Sequence, residues 1–180
     1  ESAMDNASGV ATALAAARAL APVASKMRRG LRLAFFSVEE WALTGSAQYV
    51  EAMSAEERSR IALNVNLDTV GGSAHFTALT SGFAGLDPFL QSVAGANGFA
   101  LRAVRPLMTN SDHANFAMAG IPALRLVAGF DDPAAGARHV LTPADTRDKV
   151  AVGELRIAAI IATALTAAGC AAEDASVWRA

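Results

Sequence analysis

The sequence predicts an α/β domain in which helices layer onto a mostly parallel sheet. Segments of helical periodicity alternate with short, nearly continuous apolar runs, the pattern of strands covered on both faces. Hydrophobic residues make up 53% of the chain and aromatics only 6%, so the core is built from Ala, Leu, Val and Ile. A length of 180 residues suits one domain with a substantial core.

The elements follow in order. Asn6 to Ser8 offers caps for a first helix, the Ala- and Leu-rich stretch from Gly9 to Lys26. After a turn at Arg28 to Gly30, Leu31 to Val38 (LRLAFFSV) reads as a buried strand that stops at Glu39-Glu40. Gly45-Ser46 opens a helix to about Met53, and Ala55 to Ser59 continues as helix or turn. Ile61 to Val70 is the second strand, broken by Gly71-Gly72, and His75 to Thr80 is the third. Leu86 to Asn97 is helical and Leu101 to Pro106 is the fourth strand. Asp112 to Ala119 is a short helix, and Ile121 to Val127 is the fifth strand, entered through the turn signal at Gly120 to Pro122. Asp131 to Ala137 is a loop and Asp148 to Ala168 a long closing helix. Residues 1–170 thus form a single domain, and 171–180 are a frayed tail.

Composition narrows the function classes. A net charge of −2 provides no field for nucleic acid or anionic membranes. The apolar stretch from Ile157 to Ala168 is too short to span a bilayer. Cys170 stands alone, which excludes an intrachain disulfide without fixing a compartment; secreted, periplasmic and cytoplasmic locations all stay open. The chain begins at Glu1 rather than Met, so an upstream segment is expected, and a targeting signal would have gone with it.

Acidic residues recur where apolar strands stop: Glu39 and Glu40 after LRLAFFSV, Asp68 after NVNL. Ligands of open α/β sheets bind at the carboxyl ends of strands, so these carboxylates would share one crevice. Converging carboxylates repel unless a cation or protons compensate them. Asp5, just before a helix start, would join the group. Taken singly, such residues are ordinary turn and cap residues. Together they outline a metal site without establishing it.

Five segments, in order, carry a resemblance to a known family. They are M-D-N-A-S-G-V-A (Met4 to Ala11), F-F-S-V-E-E-W-A-L-T-G-S (Phe35 to Ser46), N-L-D (Asn66 to Asp68), S-D-H-A-N-F with G-I-P-A-L (Ser111 to Leu124), and L-T-P-A-D-T (Leu141 to Thr146). Together they resemble the M28 family of zinc exopeptidases. The resemblance implies a three-layer, mostly parallel mixed β-sheet flanked by helices, of the zinc exopeptidase (phosphorylase/hydrolase-like) kind, here N-terminally truncated. It also implies aminopeptidase-type hydrolysis of a terminal peptide bond, with a peptide as the substrate. Asp5 would bridge two zinc ions, Glu40 would bind one and Asp68 the other, and Glu39 would be the general base. A cis peptide is expected at Asp5–Asn6. Asp112 would stand behind the ligands or face substrate. His113 is expected in a structural hydrogen-bonding role, His75 as structural or exposed, and Cys170 as a buried small residue or free thiol.

Two positions depart from the family pattern. Its first ligand, in an H-x-D motif, would lie upstream of Glu1, and its last ligand falls on Leu141, which cannot bind zinc. His139 lies two residues earlier, within reach of a modest loop adjustment, and is the expected replacement; otherwise it is a surface loop residue. Two zinc ions are therefore expected in a complete member, and one or none in this chain. A glutaminyl cyclase-like acyl transfer on one zinc, and a non-catalytic member that keeps the fold, are the alternatives. Missing strands would leave sheet edges open to self-association.

Overall fold

The structure, a computed structural model, describes residues 1–179. Four strands, β1 (Asn64–Leu67), β2 (Phe76–Leu79), β3 (Arg102–Val104) and β4 (Ala123–Ala128), form one sheet in the order β1-β4-β2-β3. β4 pairs parallel with β1 and antiparallel with β2, while β2 pairs parallel with β3. The sheet is mixed, and its central strand β4 is buried along its whole length.

Side chains alternate across a strand, so β4 serves two layers. Leu124, Leu126 and Ala128 pack with Val70, Phe76, Leu86, Leu90, Ile161 and Leu165. That layer is covered by α4 (Leu86–Asn97) and α6 (Val152–Ala171), with α1 (Gly9–Leu20) lying against α6. Ala123 packs on the other side with Val50, Met53, Phe116 and Ile121. Those residues bring in α2 (Thr44–Glu51) and α5 (His113–Met118). Between α2 and β1 lies α3 (Ala55–Arg60), started by a capping box in which Ser54 and Glu57 exchange hydrogen bonds. The three-layer α/β arrangement is therefore the one expected.

Four expectations change. Leu31 to Val38 forms no strand, so the sheet has four strands rather than five. A strand needs a neighbour for its backbone N–H and C=O groups. Here Leu31, Leu33 and Phe36 line a cavity of about 920 Å³ together with Leu63 and with Val65 of β1, whose edge is unpaired among the described residues. Leu31, Leu33 and Phe35 are accordingly 39%, 41% and 52% exposed rather than buried. The first helix gives way at Leu20 to a 3₁₀ turn, Ala21–Lys26, where Pro22 lacks the N–H a continuing helix would use. The last helix runs 20 residues and starts later than expected, where Glu154 accepts from the N–H groups of Ala151 and Gly72. Its length and apolarity would suffice to cross a membrane; here its Ala158, Ile161, Ala162 and Leu165 side is buried on the core.

The segment after Cys170 is not frayed. Trp178 is 3% exposed and stacks at a tilt on Phe89, with ring centroids 4.7 Å apart. Arg179 donates to the carbonyls of Gly120 and Ile61, at 2.5 and 3.0 Å. A large buried aromatic holds a terminus that its polar neighbours alone would leave loose.

Candidate active site

Each acidic side chain is placed by one of the motifs. Asp5 sits in the turn leading into α1, and its peptide bond to Asn6 is cis. The buried carboxylate of Asp145 accepts from the backbone N–H groups of Met4 (2.7 Å) and Asp5 (3.1 Å), clamping this turn. The Asn6 side chain donates to the Leu67 carbonyl (3.0 Å) and accepts from the N–H groups of Gly9 (3.0 Å) and Thr69 (3.3 Å). Ser8 donates to the Met4 carbonyl (2.6 Å) and accepts from the Val70 N–H (3.0 Å). Gly9 must be glycine, because a Cβ there would lie 2.1 Å from the Leu67 carbonyl oxygen. The first motif thus fastens the start of α1 to the end of β1, where Asp68 emerges.

Glu39 and Glu40 lie in a tight turn whose Val38, Ala42 and Leu43 have positive φ. The Leu43 N–H donates to the Glu39 carbonyl at 2.8 Å. This turn lets two adjacent residues serve one cavity, which an extended segment would forbid. From α5, Asn115 donates to the Leu43 carbonyl (3.1 Å) and the Ser46 hydroxyl (2.8 Å), holding the turn to the S-D-H segment. Asn66 on β1 donates to the Ser111 hydroxyl at 2.7 Å, tying that same segment to the sheet.

Asp5, Glu39, Glu40, Asp68 and Asp112 all line the 920 Å³ cavity. Three of them, Asp5, Glu39 and Asp112, are raised by burial and by the charges around them. Burial, then the charges of Asp68, Asp112, Glu40 and Asp5, push Glu39 up to about 7. Burial, then the charges of Asp68 and Glu40, push Asp5 up to about 6, against an opposing pull from Arg125. Burial raises Asp112 too, a Ser46 hydrogen bond opposing it, and one of its carboxylate oxygens is buried without a partner.

Two residues, His139 and His113, stand differently from expectation, while His75 agrees with it. His139 ends a short 3₁₀ turn, Gly136–His139, whose carbonyl accepts from Thr142; it is not among the residues lining the cavity. His113 is fully buried, and among the described residues neither ring nitrogen meets a partner at good hydrogen-bond geometry, the Ser111 backbone being only near enough to favour its charged form weakly. Burial, with Arg125 nearby, pushes its pKa down to about 4, so it is a neutral packing group. His75 is exposed. Arg125 and Asp145 are the residues that motif reading passed over. Arg125 signals itself as a lone charge within the apolar run Ile121 to Ala128, a position that demands an anionic partner. It finds Asp68, with Nη2 3.2 Å from Oδ2.

The donor set can be tested against zinc. A closed zinc site needs four ligands of suitable geometry. Among the described residues, no three His, Cys, Asp or Glu side chains are spaced to hold one ion. Asp68 is committed to Arg125 and Thr69. At most Asp5 and Glu40 would be left to meet one ion, and the residues present do not fit a two-zinc centre.

The fold is the α/β fold of zinc exopeptidases, and the chain belongs to Peptidase family M28, whose sequence pattern matches residues 1–166. It is 27% identical over 173 residues to aminopeptidase YwaD of Bacillus subtilis (strain 168), covering 89% of this chain and 36% of that protein. Leupeptin-inactivating enzyme 1 of Streptomyces exfoliatus is 28% identical over 127 residues, 71% of this chain and 29% of that one. The crystal structure of BSAP, a zinc aminopeptidase from Bacillus subtilis, superposes with a TM-score of 0.82 at 27% identity, covering 96% of this chain and 45% of that chain. This chain therefore spans less than half the length of these relatives.

Proposed function

We propose that this chain forms the carboxylate side of an aminopeptidase-type hydrolase site within a longer protein, acting on the terminal peptide bond of a peptide with a free amino end. The observation that carries the reading is the convergence of Asp5, Glu39, Glu40, Asp68 and Asp112, from four segments, on one cavity. Glu39 is the proton-transfer group. It accepts a proton from the water that attacks the scissile carbonyl and delivers it to the nitrogen as the C–N bond breaks. Buried among acidic side chains, its carboxyl is raised above the ordinary value, which suits it to hold the proton between the two halves of that exchange. Asp112, beside it in the cavity wall, faces the substrate.

Zinc belongs to this reading through the aminopeptidases the chain is similar to, where such an ion polarises the carbonyl and acidifies water. Asp5 and Glu40 are the carboxylates here that one ion would meet. Because the residues do not fit two ions, no step is assigned to a second.

The test is an assay of the longer protein, supplied with zinc, on an amino-acid p-nitroanilide and on its N-acetyl counterpart. Release from the free-amine substrate alone is expected. Equal cleavage of both overturns the assignment to the amino end. Conversion of N-terminal glutamine to its cyclic form, with ammonia released, would move the reading to acyl transfer. A second reading, a member that keeps the fold without turnover, is favoured by Leu141 and by the Arg125–Asp68 pair. Folded, zinc-supplied protein that cleaves nothing is its signature.

A further inference from the structure

The acidic cluster contains a cation of its own. Arg125 sits mid-strand in β4, opposite Asn66 of β1 and Leu79 of β2, and is 8% exposed. Its Nη2 lies 3.2 Å from Asp68 Oδ2 and donates to the Thr69 hydroxyl at 3.3 Å, while Nη1 donates to the Asn110 carbonyl at 2.9 Å. The Thr69 hydroxyl in turn donates to Asp68 Oδ1 at 3.1 Å. Each oxygen of Asp68, itself 6% exposed, therefore has a partner inside the chain. A guanidinium stays charged at any pH a protein tolerates and is fixed in place by its planar fork. An ion bound by Asp68 would have to displace that contact and sit beside a buried positive charge.

We propose that Arg125 supplies at Asp68, from within the chain, the positive charge that a second zinc ion supplies in a two-zinc centre, so that this cluster takes no more than one divalent cation. The inference concerns the same cavity as the hydrolase reading and rests on it only for the choice of zinc as probe. It makes Arg125 a positioning and charge-compensating residue for Asp68, one the family resemblance does not point to.

The experiment titrates zinc calorimetrically into the longer protein, native and with Arg125→Gln or Arg125→Lys, with metal analysis of the dialysed samples. The native protein and Arg125→Lys should each hold at most one ion per chain. Arg125→Gln, which keeps polarity but loses the charge, should take up one more ion or bind zinc at least about tenfold tighter, about 1.4 kcal/mol. Two tightly bound ions in the native protein overturn the inference, as does a folded Arg125→Gln that binds as the native does. Should Arg125→Gln not fold, the native and Arg125→Lys counts decide alone: at most one ion in each supports the inference, and two in either overturns it. A native protein that holds one zinc and cleaves nothing fails the hydrolase reading and leaves this inference standing. One that holds two and cleaves does the reverse.

Discussion

Glu39 carries the chemistry proposed here because of its neighbours. Its carboxyl is raised first by burial and then by four other acidic side chains, so its proton is held more tightly in the folded chain than in the unfolded one. The sign follows from linkage. Between the ordinary value of 4.5 and about 7, the folded state keeps a proton the unfolded state has released, so stability falls as pH rises through that window. Glu39→Gln removes this dependence. In the presence of a chelator, urea unfolding from pH 4.5 to 8 should show the variant gaining on the native chain as pH rises; parallel profiles would refute the crowding described here. The acidic residues themselves were legible in the sequence, because carboxylates at the ends of apolar runs are conspicuous. Arg125 was legible as an anomaly and not as a partner, since nothing in the spacing of β4 says which acid lies across from it. His139 looked like a ligand because of its distance from Leu141 along the chain, but the 3₁₀ turn that holds it leaves it out of the cavity lining.

At the scale of elements, the motifs act as fasteners between segments distant in sequence. Asn6, Ser8 and Gly9 pin α1 to β1, Asn115 pins α5 to the Glu39 turn, and Asp145 pins the final motif to Asp5. Gly9 is the tightest of these joints. A methyl group there would meet the Leu67 carbonyl oxygen and the Asn6 side chain, the latter at 2.3 Å. Gly9→Ala should therefore destabilise the chain by about 3 kcal/mol, at the upper end for overpacking, as read from the urea midpoint. A midpoint unchanged from the native would show that the joint yields freely. Helix α4 matched its expected range because Leu86, Leu90, Val93 and Ala94 repeat at helical spacing and Gly98 stops it with a positive φ. The stretch from Leu31 to Val38 has an equally clear apolar signal and still forms no strand. Strand identity depends on a neighbour, and the local sequence says nothing about whether one is present.

Over the whole molecule, the edge of β1 that is unpaired among the described residues and the exposed apolar residues from Leu31 to Val38 line the same cavity as the acidic cluster. That free edge is the surface through which the self-association expected from the sequence would run. The C-terminal segment is held by buried Trp178, which composition marks only as an aromatic near a polar terminus. The layered fold was legible in the sequence from alternating periodicities, and so was the gathering of acidic residues that the motifs bring to one cavity. The departure at Leu141 was legible there too, whereas the bonding of Asp68 to Arg125 within the chain was not. Glu39 as the proton-transfer group of a hydrolase is the central claim, and one comparison tests it most directly. Turnover of an amino-acid p-nitroanilide by the longer, zinc-supplied protein is measured beside its Glu39→Gln variant, with metal content determined for both. Turnover by the native protein should fall by about 10²-fold or more in the variant with metal content unchanged, whereas a variant that keeps native turnover would contradict the account.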